Sequence, residues 1–386
     1  MNLRTYGSET SLGNLNPEEQ VIQAMKSSGV SFVASLPCEK VKTLLESLPE
    51  HFKHVALTRE EEGVGICAGA ALAGAKPALL IQNSGLGNMV NALASLTKYY
   101  RLPLVLLISW RGIYGEKIEA QKAMGYYAPR ILSALDIKYE EVHEPEHLSL
   151  IEHTLREAYE NSEIRAVLFS PKVWEGSRLK GKEVHEKRRI SSTAARTRKV
   201  QPRLTRFQML KIAAPYLEGK AVVCNLGFPC KELYSVKHQR SNFYMLGSMG
   251  MTSPIALGIA LNTKKQVVAI DGDGSLLMNP GTLATIAQTA PKNLTILAID
   301  NAAYGSTGNQ PTATARSVDL ELVARGFGIR NTCKVAAKSE LLAAFENLGS
   351  GPNFIHAVAE PGNAELPNIP LSAEEIKRGV EEFLRE

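Results

Sequence analysis

Apolar runs of four to seven residues recur along this chain, each ending in small or polar residues. In the first half they fall at 30–34, 77–82, 103–109 and 166–170, with a shorter one opening at Val55. In the second half they fall at 221–224, 267–270, 294–299 and 353–358. Bounded by Gly, Pro, Asn or Asp, such runs predict strands buried on both faces. Between them, helical spacing of apolar positions predicts helices at 16–27, 40–47, 63–73, 89–97, 128–135 and 148–162, then at 207–217, 253–261, 281–288 and 319–324. The first is the best punctuated: Asn16 as cap, Pro17 at the first helical position, Glu18 and Glu19 in the first turn. Strands alternating with helices predict α/β architecture with doubly wound parallel sheets, which bind ligands at the carboxyl ends of their strands. The expected domains are 15–174 and 204–386, joined by a linker at 175–203, after a loose tail at 1–15.

The ends of two successive strands carry the densest chemistry. The run 267–270 leads into Asp271-Gly272-Asp273-Gly274-Ser275, and the run 294–299 leads into Asp300-Asn301. Asp273 offers a carboxylate and Asn301 a carbonyl oxygen, donors suited to magnesium, which completes its shell with phosphate and water. Gly272 and Gly274 let backbone approach a ligand closely, and the N–H groups that follow can face phosphate. An EF-hand is excluded, because Leu276 stands where its loop needs Gly and Thr282 where it needs Glu. No GxxxxGK[ST] loop occurs, and GDG alone also suits an ordinary turn.

Charge and cysteines narrow the class. The chain of 386 residues carries a net +5, but residues 175–203 hold ten Lys/Arg against three Glu, so everything outside that stretch is slightly acidic. With only Trp174 beside it, the basic stretch reads as a solvated connector, not a nucleic-acid surface. Cys38, Cys67, Cys224, Cys230 and Cys333 are odd in number and scattered, which predicts reduced thiols. No apolar run approaches the roughly 20 residues of a membrane helix, and the first residues lack a signal-peptide core. The expected location is the cytoplasm, with no membrane partner.

Other strand ends are polar or Gly-rich: Ser35-Leu36-Pro37-Cys38, Asn83-Ser84-Gly85-Leu86-Gly87-Asn88, Trp110-Arg111-Gly112 and Gly247-Ser248-Met249-Gly250. Glu60, Glu61 and Glu62 open a helix of small residues. Acids there favour the helix dipole, or one is a deliberately buried acid. The small residues would allow close packing against a neighbouring subunit.

GDG, then the 25 residues Ser275 to Ile299, then Asp300-Asn301 resembles the signature of the thiamine diphosphate-dependent decarboxylases. The resemblance extends over nearly the whole chain, without the middle domain that many members carry. It implies magnesium held by Asp273, Asn301 and the carbonyl of Ala303. It implies cofactor contacts from Gly247, Ser248, Met249, Gly272, Asp273, Gly274, Ser275, Asn301 and Tyr304. Of the three acids, Glu60 matches the family spacing E-x8-G through Gly69, and would hydrogen-bond the aminopyrimidine ring, holding or sharing a proton. Met249 would be the apolar wedge beneath the cofactor, and the Gly247 carbonyl would accept from its amine. Active sites would form between subunits of a homodimer or homotetramer.

Within the family the chain is most similar to the two-domain sulfopyruvate decarboxylases, with both subunit types fused. The likeness rests on Ser35 to Cys38, Thr58-Arg59-Glu60, Trp110-Arg111-Gly112 with Glu119-Ala120-Gln121, and Gly308-Asn309-Gln310-Pro311-Thr312. It implies decarboxylation of 3-sulfopyruvate to sulfoacetaldehyde and carbon dioxide, as in coenzyme M biosynthesis. Phosphonopyruvate relatives tend to carry His where Lys122 stands. Phosphonopyruvate as substrate, or a non-catalytic cofactor-binding assembly protein, are the alternatives. Ser35, Asn83, Arg111 and Gln121 are the candidates for binding the small anionic 2-oxo acid, with Arg111 its anion partner.

Overall fold

The computed structural model describes residues 15–179 and 197–386, so nearly all of the tail expected at 1–15 and most of the linker lie outside the described residues. The first half contributes β1 (Phe32–Ser35), β2 (Lys53–Ala56), β3 (Pro77–Gln82), β4 (Leu104–Ser109), β5 (Lys138–Val142) and β6 (Ile164–Phe169). The second contributes β7 (Ala221–Cys224), β8 (Asn242–Tyr244), β9 (Val267–Gly272), β10 (Leu294–Asp300), the hairpin β11 (Ala303–Tyr304) and β12 (Gln310–Pro311), then β13 (Asn331–Val335) and β14 (Asn353–Val358). Two six-stranded sheets result, β2-β1-β3-β4-β6-β5 and β13-β14-β10-β9-β7-β8. Read from the β8 edge, the second has the same strand order as the first, and every pairing within both is parallel. The expected pair of doubly wound sheets is therefore present, and it is an internal repeat in three dimensions.

Alternate residues of the first sheet feed two separate cores, as a pleated strand covered on both faces requires. Val33, Ala78, Leu80, Val105 and Leu107 pack in one apolar cluster with the helices Pro17–Ser27, Lys42–His51 and Leu150–Glu160. Phe32, Leu79, Ile81, Leu106 and Ile108 belong to another, which continues without interruption into the second half. At the join, the helix Glu60–Leu72 crosses the helix Thr252–Asn262 backbone to backbone. A Cβ on Gly69 would lie 2.0 Å from the Ile255 carbonyl oxygen, and one on Gly258 2.0 Å from that of Ile66. The small residues of the first helix thus pack against a helix of the same chain, where the sequence reading expected a neighbouring subunit.

Within the two six-stranded sheets, three strands were not read from the sequence: β5, β8 and β13. All three are sheet edges. In β5 and β13 partly exposed polar residues break the apolar run, while β8 is buried but only three residues long and opens on Asn242. Helices at Phe228–Val236, Asp273–Met278, Lys338–Glu346 and Ala373–Arg385 also went unread. The helix expected at 128–135 begins much earlier, as Glu119–Ala134, with Pro129 inside it. Proline deprives the Gly125 carbonyl of its helical donor, and Trp110 Nε1–H fills the place at 2.8 Å. Among the described residues no disulfide forms, and no helix is long and apolar enough to cross a membrane.

Candidate active site

The cleft lies where the two-sheet pattern predicts, beyond the carboxyl ends of β7, β9 and β10. Asn225, Met249, Gly272, Asp273, Gly274, Ser275, Asn301, Ala303 and Tyr304 line it, together with Arg206 and Ser306. β9 pairs with β10 so that Gly272 stands beside Ile299, which brings Asp273 and Asn301 together at the sheet edge. Gly274 is required there, because a Cβ would come within 2.3 Å of the Tyr304 ring. Gly250 N–H donates to Ser275 Oγ at 3.2 Å, tying the 247–251 loop to the GDG turn.

Three oxygen-bearing groups converge on one point. The carboxamide terminus of Asn301 lies 3.0 Å from the Ala303 carbonyl oxygen and 3.2 Å from Asp273 Oδ1, so it faces acceptors alone. Without a cation the amide nitrogen satisfies both; with one, the amide oxygen does so across the ion. Oxygens about 2.9 Å apart are what neighbouring corners of a magnesium octahedron with ~2.1 Å bonds require. No cluster of three or more His, Cys, Asp or Glu suited to a metal occurs among the described residues. This set uses one carboxylate, one amide and one main-chain carbonyl, the oxygen donors of a hard cation, and it fits the expected ion.

A shell of buried polar groups holds the carboxylate. Thr312 Oγ1–H donates to Asp273 Oδ2, leaving Oδ1 turned toward Asn301. Thr314 Oγ1 lies 2.7 Å from Asp300 Oδ1 and 3.2 Å from Asp273 Oδ2. Asp300 also accepts from Ala302 N–H at 3.0 Å, and His356 Nε2 is 2.9 Å away. Because His356 Nδ1 accepts from Glu321 N–H at 3.3 Å, its proton sits on Nε2 and points at Asp300. That network holds the carboxylate of Asp300 in place. Burial raises the Asp273 carboxyl pKa to about 6, the Thr312 hydroxyl opposes this, and the Asp300 charge adds to it. Thr314 and His356 were not singled out from the sequence, and Thr312 only as the end of a motif, since isolated Thr and His carry no signal of what they will face.

Glu60 does not line this cleft. Asn88 Nδ2 donates to its Oε2 at 3.1 Å, and Gly85 makes room for its side chain. The end of its helix nevertheless abuts the 247–251 loop. Asn279 donates to Glu61 Oε2 at 3.2 Å, a Cβ on Gly65 would reach the Met251 sulfur at 3.0 Å, and Ser95 Oγ lies 2.6 Å from Ser248 Oγ. A Cβ on Gly247 would meet the Ser95 carbonyl at 2.8 Å. Within one chain this helix end and the 247–251 loop therefore lie side by side.

Ser35, Asn83, Arg111 and Gln121 gather at the carboxyl edge of the first sheet, the counterpart of the cleft in the second. There the side chains are engaged by protein partners. Asn83 grips the Arg111 backbone through both N–H and carbonyl, at 3.0 and 2.9 Å. Ser35 Oγ is 2.8 Å from His54 Nε2, and Gln82 donates to Gln121 Oε1 at 3.1 Å. Arg111 does not present a free guanidinium: Nε and Nη2 donate to Glu116 at 2.6 and 3.0 Å, both side chains nearly buried. The hydrogen bond from Arg111 holds the Glu116 carboxyl down at about 2.

Comparison with known proteins accords with this architecture. Residues 16–128 match the thiamine pyrophosphate enzyme N-terminal TPP binding domain, and 226–357 match the C-terminal TPP binding domain. The sulfopyruvate decarboxylase of Methanosarcina acetivorans is 46% identical over 382 residues, covering 96% of this chain and 98% of that protein. The phosphonopyruvate decarboxylase of Streptomyces hygroscopicus is 33% identical over 374 residues, covering 93% and 91%. In Methanococcus maripaludis the likeness divides between two proteins. Sulfopyruvate decarboxylase subunit beta is 47% identical over 45% of this chain and 94% of its own length, and subunit alpha 48% over 32% and 76%. The chain therefore belongs to the thiamine diphosphate-dependent decarboxylases, in the family of the sulfopyruvate decarboxylases, with both TPP-binding domains in one polypeptide.

Proposed function

We propose that this chain is a cytoplasmic, magnesium-dependent enzyme that decarboxylates 3-sulfopyruvate to sulfoacetaldehyde and carbon dioxide, the reaction of the coenzyme M route. The observation that carries the reading is the convergence of Asp273, Asn301 and the Ala303 carbonyl in the cleft beyond β9 and β10. The preference for a sulfonate over a phosphonate rests on 46% against 33% identity at near-complete coverage of both relatives.

Thiamine diphosphate, when bound, supplies the electron sink for the carbanion that loss of carbon dioxide creates. Asp273, Asn301 and the Ala303 carbonyl would hold the magnesium that neutralises its diphosphate, and main-chain N–H groups after Gly274 would face the phosphates. Gly272 and Ser275 line the same wall, while Tyr304 packs over Gly274. Met249 supports the cofactor from its apolar side, with Gly247 and Ser248 beside it. Glu60 holds a proton for the pyrimidine ring nitrogen. The substrate enters from the first-sheet side, near Ser35, Asn83 and Gln121. Arg111 acts there through its paired guanidinium, shaping the wall with Glu116.

The small 2-oxo acid substrate and the two subunit types of the relatives also support an assembly. The chain works as a homodimer or homotetramer in which Glu60 of one subunit faces the 247–251 loop of another. The deciding experiment is carbon dioxide release from 3-sulfopyruvate by purified protein, with and without thiamine diphosphate and magnesium. Release is expected only with both. Release from phosphonopyruvate alone would keep the site and move the substrate, and no release from either would overturn the enzymatic reading.

A further inference from the structure

Among the described residues, Arg206 is the only cationic side chain that lines the cleft. It opens the helix Arg206–Ala213, is 5% exposed, and lies outside both matched family segments. Its Nε and Nη2 donate to the two carboxylate oxygens of Glu232 at 2.7 and 2.9 Å, and Nη2 also donates to Asn363 Oδ1 at 2.9 Å. Glu232 is itself fully buried and takes the Ala364 N–H at 3.1 Å. Asn363 donates to the Gly305 carbonyl at 3.0 Å, within the 303–307 wall of the cleft. Nη1 has no acceptor among the described residues and is not among the buried polar atoms left without a partner. The guanidinium is thus locked on one side by Glu232 and Asn363, in a residue that lines the cleft.

A buried ion pair of this kind costs desolvation and is a poor way to gain stability. It is an effective way to hold a planar donor rigid before a ligand arrives. We propose that Arg206 is a specificity residue for the cofactor, a fixed donor to the outer phosphate of the diphosphate, positioned by Glu232 and Asn363. The assignment rests on the cleft being the cofactor site. Magnesium on Asp273 and Asn301 would grip the diphosphate from one side and Arg206 from the other. Arg206 would then be the chain's means of telling a diphosphate from a monophosphate.

The test is calorimetric binding of thiamine diphosphate and of thiamine monophosphate to apo-protein in excess magnesium. Wild type should prefer the diphosphate. Arg206→Met should reduce that preference about tenfold or more, through the diphosphate affinity alone. Because this variant strands Glu232 in a buried place, the double change Arg206→Met with Glu232→Gln is measured beside it, keeping an acceptor for Ala364 N–H. The double variant should fold and show the same loss. An undiminished preference in a folded double variant would overturn the assignment. If wild type binds neither compound, the cleft is not the cofactor site, and the proposal falls with it.

Discussion

Three acids in a row open the helix Glu60–Leu72, and the fold gives each a different neighbour. Glu61 reaches Asn279 across the domain join. Glu62 is fully buried and accepts from Thr58 Oγ1 at 2.8 Å and Thr285 Oγ1 at 2.9 Å, so it is a strut between the halves. Among the described residues Glu60 has Asn88 alone, which leaves one oxygen uncommitted. Spacing to Gly69 is what favours Glu60, since Glu62 likewise keeps one oxygen, Oε2, buried without a partner among the described residues. Glu60→Gln should lower kcat by about 10²-fold or more while thiamine diphosphate binding, followed by calorimetry, is largely kept; wild-type turnover would remove Glu60 from the mechanism. Arg111 illustrates the reverse. Its charge type was legible, but its engagement with Glu116 was not, since a partner five residues on is brought near only by the turn between β4 and the next helix. Glu116 titrates near 2 in the folded protein against an ordinary 4.5, so the pair stabilises fully above 4.5 and the contribution is lost as pH falls toward 2. Chemical denaturation of Glu116→Gln should accordingly show a deficit at neutral pH that shrinks with acidification below 4.5.

Among the elements, legibility followed burial and length. Strands β3, β7 and β14 match their runs residue for residue, because an interior strand covered on both faces must be mostly apolar, with His356 of β14 a buried exception. Edge strands β5 and β13 keep most of their side chains partly in contact with water and lose that signature, and β8 is too short to show one. The helix Glu119–Ala134 starts well before the stretch 128–135 expected from the sequence and carries Pro129, whose cost is offset by a tryptophan outside the helix that no local pattern reveals. The crossing of Glu60–Leu72 with Thr252–Asn262 is the join that aligns the two sheets, and it depends on the missing side chains of Gly69 and Gly258. Helix propensity alone would have Gly258→Ala stabilise by about 1 kcal/mol. Overpacking against the Ile66 carbonyl should instead destabilise by about 3 kcal/mol, read as a lower midpoint in urea; a stabilised variant would mean the helices do not meet there.

For the whole molecule, the open choice is which copy of the second domain faces each Glu60. Asp273→Ala should abolish magnesium-dependent cofactor retention, and Glu60→Gln should abolish turnover, each inactive alone. Refolded together, the two variants can complement only if a site draws Glu60 and Asp273 from different subunits. In a twofold assembly about a quarter of the wild-type sites would then be intact. Activity near that level supports sites between subunits; none, with mixed dimers demonstrated, places each site within one chain.

Residue pattern was enough to specify the two α/β halves, the GDG turn and the oxygen-donor pair Asp300-Asn301, because strand burial and close approach to phosphate each demand particular residue types at fixed spacing. What those residues face was set by long-range packing. Parallel pairing of β9 with β10 brings Asp273 and Asn301 together, Thr312 arrives just after a hairpin to orient the Asp273 carboxylate, and Glu232 fixes Arg206 in the wall. These contacts join segments far apart in the chain, and nothing in a local pattern of apolar and polar positions encodes a partner that the fold alone brings near.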